Sequence, residues 1–195
     1  MILLPLLYGV AVAATPCQIP VYLVENSVPL EYAEAFDGQL ARAISVWNGV
    51  GAGVRMRFEG STENVWIEAA ITVGWSLDRG VVPMSIANSY RVVWPTGGIS
   101  KSKVELLSDI DWCHSGGASY CVNSDNVLLH ELGHALGLDH RDSPLSVMRP
   151  QEPRGHGSTI VPDDEDAVRL LTMYPADGTG CGTQNARFLW NTLLR

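Results

Sequence analysis

The stretch His130-Glu131-Leu132-Gly133-His134-Ala135-Leu136-Gly137-Leu138-Asp139-His140 constrains this chain more than any other. His130 and His134 are spaced i, i+4, so an α-helix sets both imidazoles on one face, a turn apart, where they can grip one metal ion. A catalytic zinc takes three protein ligands and keeps a fourth position open. A straight helix does not easily deliver the third. Gly137 tolerates positive φ at low cost, so the helix can stop there and the chain can turn back. His140 then has the reach to be the third ligand. Glu131 points about 100° round the helix from His130, which places it to take a proton from a water rather than to hold the metal. At average residue frequencies the full pattern arises by chance in on the order of one in 10⁵ chains of this length.

These residues resemble the signature of the metzincin zinc endopeptidases, His-Glu-x-x-His-x-x-Gly-x-x-His followed by a methionine turn. His130, Glu131, His134, Gly137 and His140 fill all of its fixed positions, and Met148 in Ser146-Val147-Met148-Arg149-Pro150 matches the methionine. The spacing from His140 to Met148 resembles the matrixin branch. So does the run Pro162–Tyr174, which looks like the acidic start and apolar face of a matrixin's last helix.

The resemblance implies an α+β (mixed α/β) catalytic domain: a twisted mixed sheet of about five strands, an active-site helix, a Met-turn and a C-terminal helix. It implies one catalytic zinc on His130, His134 and His140, with Glu131 as general base and Met148 as a hydrophobic floor that does not ligate. It further implies that an extended peptide pairs with an antiparallel edge strand beside the metal. That edge is sought in Met84–Trp94, with an interior strand as the alternative reading of the same residues. The segment 150–161 would wall the pocket for the side chain just after the cleaved bond. An aspartate at the start of the last helix would either cap it or bind a freed N-terminal ammonium.

Some features depart from the family. No latency cysteine motif is seen, and the His and Asp ligands of a second, structural zinc have no match. His114 and His156, the spare histidines, read as solvated loop residues. There is no clear calcium loop, and Asp109, Asp111 and nearby carbonyls are the candidates for binding that ion.

Length and composition bound the rest. The 195 residues suffice for one domain with a full core. A net charge of −8 argues against nucleic acid as a partner. Met1–Ala14 reads as a secretory signal, apolar from Ile2 to Val12 and with small residues at Ala11-Val12-Ala13, although no Lys or Arg precedes the apolar run. It is too short for a transmembrane helix. The expected organisation is residues 1–14 as signal peptide and 15–195 as one domain, secreted to an extracellular or periplasmic space, monomeric and off the membrane after signal removal.

Four cysteines in such a chain suggest two disulfides, with three possible pairings. Cys113 and Cys121 flank a short Gly/Ser-rich loop that is cheap to close. Cys17 with Cys181 would then tie the ends of the domain together.

Along the chain, Gln18–Val24 reads as a first strand, with Pro20 suited to an edge or early position. Tyr32–Trp47 carries Phe36, Leu40, Ala43, Ile44 and Trp47 at amphipathic helical spacing. Val54–Phe58 alternates like a half-buried strand, and Asn64–Val73 reads as a longer one. Val81–Trp94 suggests a bent strand or hairpin with a break near Asn88-Ser89, and Lys103–Leu107 a further strand. Asp111–Ser124 reads as a loop. The metal helix spans about Asn126–Leu136, capped by Ser124 or Asp125. The last helix begins at Asp163 or Asp164, with Val168, Leu171 and Thr172 or Leu170 facing the core.

The sequence therefore points to a secreted zinc-dependent endopeptidase. The alternatives are a secreted zinc-binding module of the same fold without turnover, of toxin or adhesin type, and a zinc hydrolase acting on a non-peptide amide.

Overall fold

The computed structural model describes residues 17–77, 85–93, 99–113, 121–150, 161–177 and 189–192. Its elements are, in order, β1 (Cys17–Val24), α1 (Leu30–Gly49), β2 (Val54–Thr62), β3 (Ile71–Ser76), β4 (Ala87–Val93), β5 (Ile99–Leu107), β6 (Trp112–Cys113), β7 (Val122–Asn123), α2 (Ser124–Leu136), α3 (Asp164–Met173) and β8 (Leu189–Thr192). This is the expected α+β domain. The main sheet is mixed and ordered β2-β1-β3-β5-β4-β8. Strand β1 is parallel to β2 and to β3, and β3 is parallel to β5. β4 runs antiparallel to β5, and β8 antiparallel to β4.

Parallel neighbours need a crossover, which α1 supplies between β1 and β2. Its buried stripe is Phe36, Leu40, Ala43, Ile44 and Trp47, as the apolar spacing requires, with Gln39 buried beside them. Gln39 is tolerated there because Ser124 Oγ donates to its Oε1 at 3.2 Å. In β3, Ile71 through Trp75 are all buried, because this strand lies between β1 and β5. Trp75 stacks on Tyr32 of α1 at 5.1 Å and meets Trp112 edge-on at 5.5 Å, joining helix, sheet and the segment ahead of α2. Pro20 fits its strand because β1 pairs with β3 only from Val21 onward.

Three sequence expectations are corrected. Asn64–Val73 is not one strand, since only Ile71 onward joins the sheet. Ala69 adopts φ +55°, and Thr72 Oγ1 donates to the Val65 carbonyl at 2.6 Å, so the preceding residues fold back as a loop. Alternating side chains carry no sign of that turn. β4 runs unbroken through Asn88 and Ser89, which lie opposite Glu105 and Val104 in mid-sheet despite their turn propensity. The expected loop Asp111–Ser124 contains a short parallel ladder of β6 and β7.

That ladder is clamped by the Cys113–Cys121 disulfide, with its Cα atoms 5.6 Å apart. Cys17 is also disulfide-bonded. Its expected partner Cys181 lies outside the described residues, as do the segment Met1–Ala14, Met84, His114, His156 and residues 151–160. Among the described residues no helix is long and apolar enough to cross a membrane.

Candidate metal centre

All thirteen residues of α2 are buried, so the helix that carries the histidines is also the centre of the domain. Its ends are fixed by side chains. Asn123 is the N-cap, its Oδ1 accepting from the backbone N–H groups of Asp125 at 3.0 Å and Asn126 at 3.3 Å. The two residues expected to cap are used elsewhere. Ser124 Oγ bonds to Gln39 and to the Cys113 carbonyl, and Asp125 pairs with Arg42 at 2.7 Å.

At the other end Gly137 takes φ +112°. Its N–H donates to the His134 carbonyl at 2.9 Å, and the Leu138 N–H donates to the Gly133 carbonyl at 3.0 Å, a Schellman stop. Distant side chains also bond to carbonyls of the helix. Trp47 Nε1 donates to Leu129 at 2.8 Å, Tyr174 Oη to Leu136 at 2.8 Å, and Arg91 Nη1 to His134 at 3.3 Å.

The turn at Gly137 brings His140 back to the helix face. The ring centroids of His130, His134 and His140 form a triangle with sides of 4.6, 4.7 and 5.2 Å. One ring nitrogen from each lies within 4.8 Å of the others. The outer nitrogens of two rings are committed to the backbone: His130 Nδ1 donates to the Val147 carbonyl at 2.7 Å, and His134 Nδ1 to the Leu138 carbonyl at 2.7 Å. A carbonyl only accepts, so both rings carry their proton on Nδ1 and leave Nε2 as a bare lone pair.

His134 Nε2 is buried and has no hydrogen-bond partner, while His130 Nε2 faces His140 Nε2 at 3.3 Å. Burial is the main cause holding all three imidazoles neutral: it pushes His134 down to about 3, His130 well below its ordinary value, and His140 down as well. Three imidazole nitrogens gathered in this way, two of them on buried rings, are the donor set that a divalent metal with affinity for imidazole requires. The residues present fit zinc.

Glu131 is buried, and neither of its carboxylate oxygens has a partner. Desolvation raises its pKa from 4.5 to about 8. Met148 is fully buried against the same helix. A Cβ built on Gly133 would run into Met148 Sδ and would come within 2.8 Å of Trp47 Cζ2. Met148 thus packs where the helix surface is stripped to backbone, one residue before His134. Asp109 and Asp111, the calcium candidates, are exposed and join no cluster of metal-type ligands among the described residues.

Sequence reasoning overlooked two residues of this centre. One is Gly133, and a glycine inside a helical pattern is itself a signal that something packs closely. The other is Asp166 of α3. It is fully buried, accepting from Ser146 Oγ at 2.8 and 2.9 Å, from Val147 N at 3.1 Å and from Arg141 Nε at 3.3 Å. It also closes a capping box with Asp163. The core face of α3 is accordingly Asp166 and Leu170, with Leu171 partly buried against the core as expected, whereas Val168 and Thr172 are exposed. The apolar count misjudged this face because a carboxylate satisfied by four donors occupies part of it.

Fold and centre together define a metzincin-type domain. The match to known families agrees: the family model described as matrixin, a peptidase family, fits residues 19–174, and this chain belongs to that family. Among curated proteins, a stretch is similar to matrix metalloproteinase-25 of Mus musculus, 47% identical over 49 residues. The match spans 23% of this chain and only 8% of that relative.

Proposed function

We propose that this protein is a secreted zinc-dependent endopeptidase in which His130, His134 and His140 hold one zinc ion and Glu131 is the general base. The observation that carries the reading is the buried, unpartnered carboxylate of Glu131 next in sequence to a cluster of three imidazoles with converging ring nitrogens. Zinc bound there supplies a Lewis acid and makes a water nucleophilic near neutral pH. Glu131 accepts the proton of the attacking water and returns it to the leaving amine. Burial raises the Glu131 carboxyl to about 8 in the metal-free chain, and a cation held by the histidines would lower it towards the ionised form that a base needs. Val147 and Leu138 hold the first two rings in the tautomer that ligation needs. The Cys113–Cys121 disulfide and the apolar Met1–Ala14 segment favour secretion to an oxidising compartment.

The test is hydrolysis of a mixed quenched-peptide library, with zinc content assayed on the same samples. The wild type is expected to cleave, to lose activity to chelator and to regain it with zinc. Glu131→Gln keeps its zinc and loses about 10²–10⁴-fold in turnover. Turnover at the wild-type rate by Glu131→Gln would remove the general base from this account. Zinc bound without any cleavage would favour the non-catalytic binding module.

A further inference from the structure

Strand β4 has two neighbours among the described residues, β5 on one side and β8 on the other. The pairing with β8 is antiparallel and in register, with Asn88 opposite Thr192, Ser89 opposite Asn191, Tyr90 opposite Trp190 and Arg91 opposite Leu189. β4 is also the strand that reaches the metal helix, through Arg91 Nη1 on the His134 carbonyl. The opposite edge of the sheet, β2, lies at the far end of the strand order. The position next out from β4 is therefore the place beside the histidines where an extended peptide can gain a backbone ladder. Residues 189–192 of the chain already fill it.

We infer that β8 is an intramolecular competitor for the substrate strand: the chain caps its own cleft by adding Leu189–Thr192 to β4, and a peptide must displace that strand to pair. The inference rests on the peptidase reading for what the β4 edge is used for, but the occupancy itself does not. A four-residue ladder is short, so it holds by proximity rather than by strength. A tethered segment acts at an effective concentration on the order of millimolar, enough to outcompete a dilute peptide yet open to displacement by a longer one. The expected kinetic signature is a raised KM with kcat unchanged, because a strand that occupies the β4 edge competes with substrate for binding.

The test uses the full chain. Successive N–H groups of a strand point to opposite sides, so of Trp190 and Asn191 one donates towards β4 and the other away. Trp190→Pro and Asn191→Pro are made singly and together, since proline deletes the donor. The single variant facing away is expected to behave as the parent, which controls for general unfolding. The other single variant and the double variant are expected to speed amide hydrogen exchange about tenfold or more at those of Asn88–Arg91 whose N–H groups face β8 rather than β5. They are also expected to lower KM for a quenched peptide by about tenfold. A labelled peptide with the sequence of residues 188–195 should bind the double variant, slow that exchange again and inhibit competitively, while the parent binds it at least tenfold more weakly.

Unchanged exchange in every variant, or equal peptide affinity in parent and double variant, overturns the inference. Exchange and peptide binding require no turnover, so the two readings fail separately. Selective binding of the labelled peptide without cleavage by any form would keep the occluding strand and reject the peptidase. Cleavage with the same KM in all forms would keep the peptidase and reject the strand's role.

Discussion

The Val147 carbonyl fixes the ring of His130, taking its Nδ1 proton at 2.7 Å, while the Val147 N–H is held at 3.1 Å by Asp166. One peptide residue therefore links the last helix to the first candidate ligand. Asp166→Ala would leave Ser146 Oγ and Val147 N–H without their buried acceptor and Arg141 without one of its carboxylates. Its expected cost is on the order of 3 kcal/mol of stability, read by urea unfolding. Zinc affinity should fall with it, by about 10–100-fold, because the partner orienting a ligand is loosened. An Asp166→Ala protein with wild-type affinity for zinc would show that Val147 holds its place without α3.

Gly133→Ala tests the close approach of Met148. The added methyl meets Met148 Sδ and the Trp47 ring, which are both buried. Overpacking of this kind costs about 1–3 kcal/mol. Met148→Ala alone removes a fully buried side chain and should cost about 2–5 kcal/mol. Combined, the two changes should cost less than their sum, since the new methyl enters the space the methionine has left. Strict additivity in thermal or urea unfolding would mean that the clash is with Trp47 alone.

Much of the centre was readable from residue spacing, because helical geometry converts i, i+4 into a shared face and a glycine stop into a return. His130, His134, Gly137 and His140 need no knowledge of the remaining fold to be brought together, and the α1 stripe from Phe36 to Trp47 follows from the same periodicity. What spacing cannot carry is competition between partners. Ser124 and Asp125 are good caps by type, but Gln39 and Arg42 claim them, and the neighbouring Asn123 takes the role. Val65, Ile67 and Ala69 alternate as a strand does, yet the hydroxyl of Thr72 and the positive φ of Ala69 turn them into a loop. Asp166 looks like a dipole-favoured surface acid until Ser146 and Val147 arrive from elsewhere in the chain.

Zinc itself should stabilise the fold. The lone pairs of the three histidines converge only in the folded chain, so the ion binds the native state preferentially and raises the melting temperature with concentration. At a free concentration of 100 times Kd the gain is about 2.7 kcal/mol. His134→Ala should abolish the concentration dependence, as followed by calorimetry with zinc titrated into chelator-treated protein. A zinc-dependent rise that survives in His134→Ala would place the ion elsewhere.

The metal-free protein should be most stable near pH 6.5, for opposing reasons on the two sides. Burial holds His134 at about 3 and His130 well below its ordinary 6.5, so below pH 6.5 the unfolded chain binds more protons and stability falls as pH falls. Glu131 acts in the other direction. Its carboxyl is raised from 4.5 to about 8, so between those values the folded chain binds the extra proton and stability falls as pH rises. Above pH 6.5 the unfolded histidines give up their remaining protons within about one unit, and the decline towards pH 8 belongs to Glu131, at no more than about 1.4 kcal/mol per pH unit. Glu131→Gln cannot ionise, so it should remove that decline and steepen the acid limb between about pH 4.5 and 6.5, where the Glu131 proton offsets the histidines. Urea unfolding in chelator at pH 5, 6.5 and 8 separates the two limbs. A variant that declines above pH 6.5 as steeply as the wild type would assign the alkaline limb to another group and leave Glu131 ionised in the folded protein.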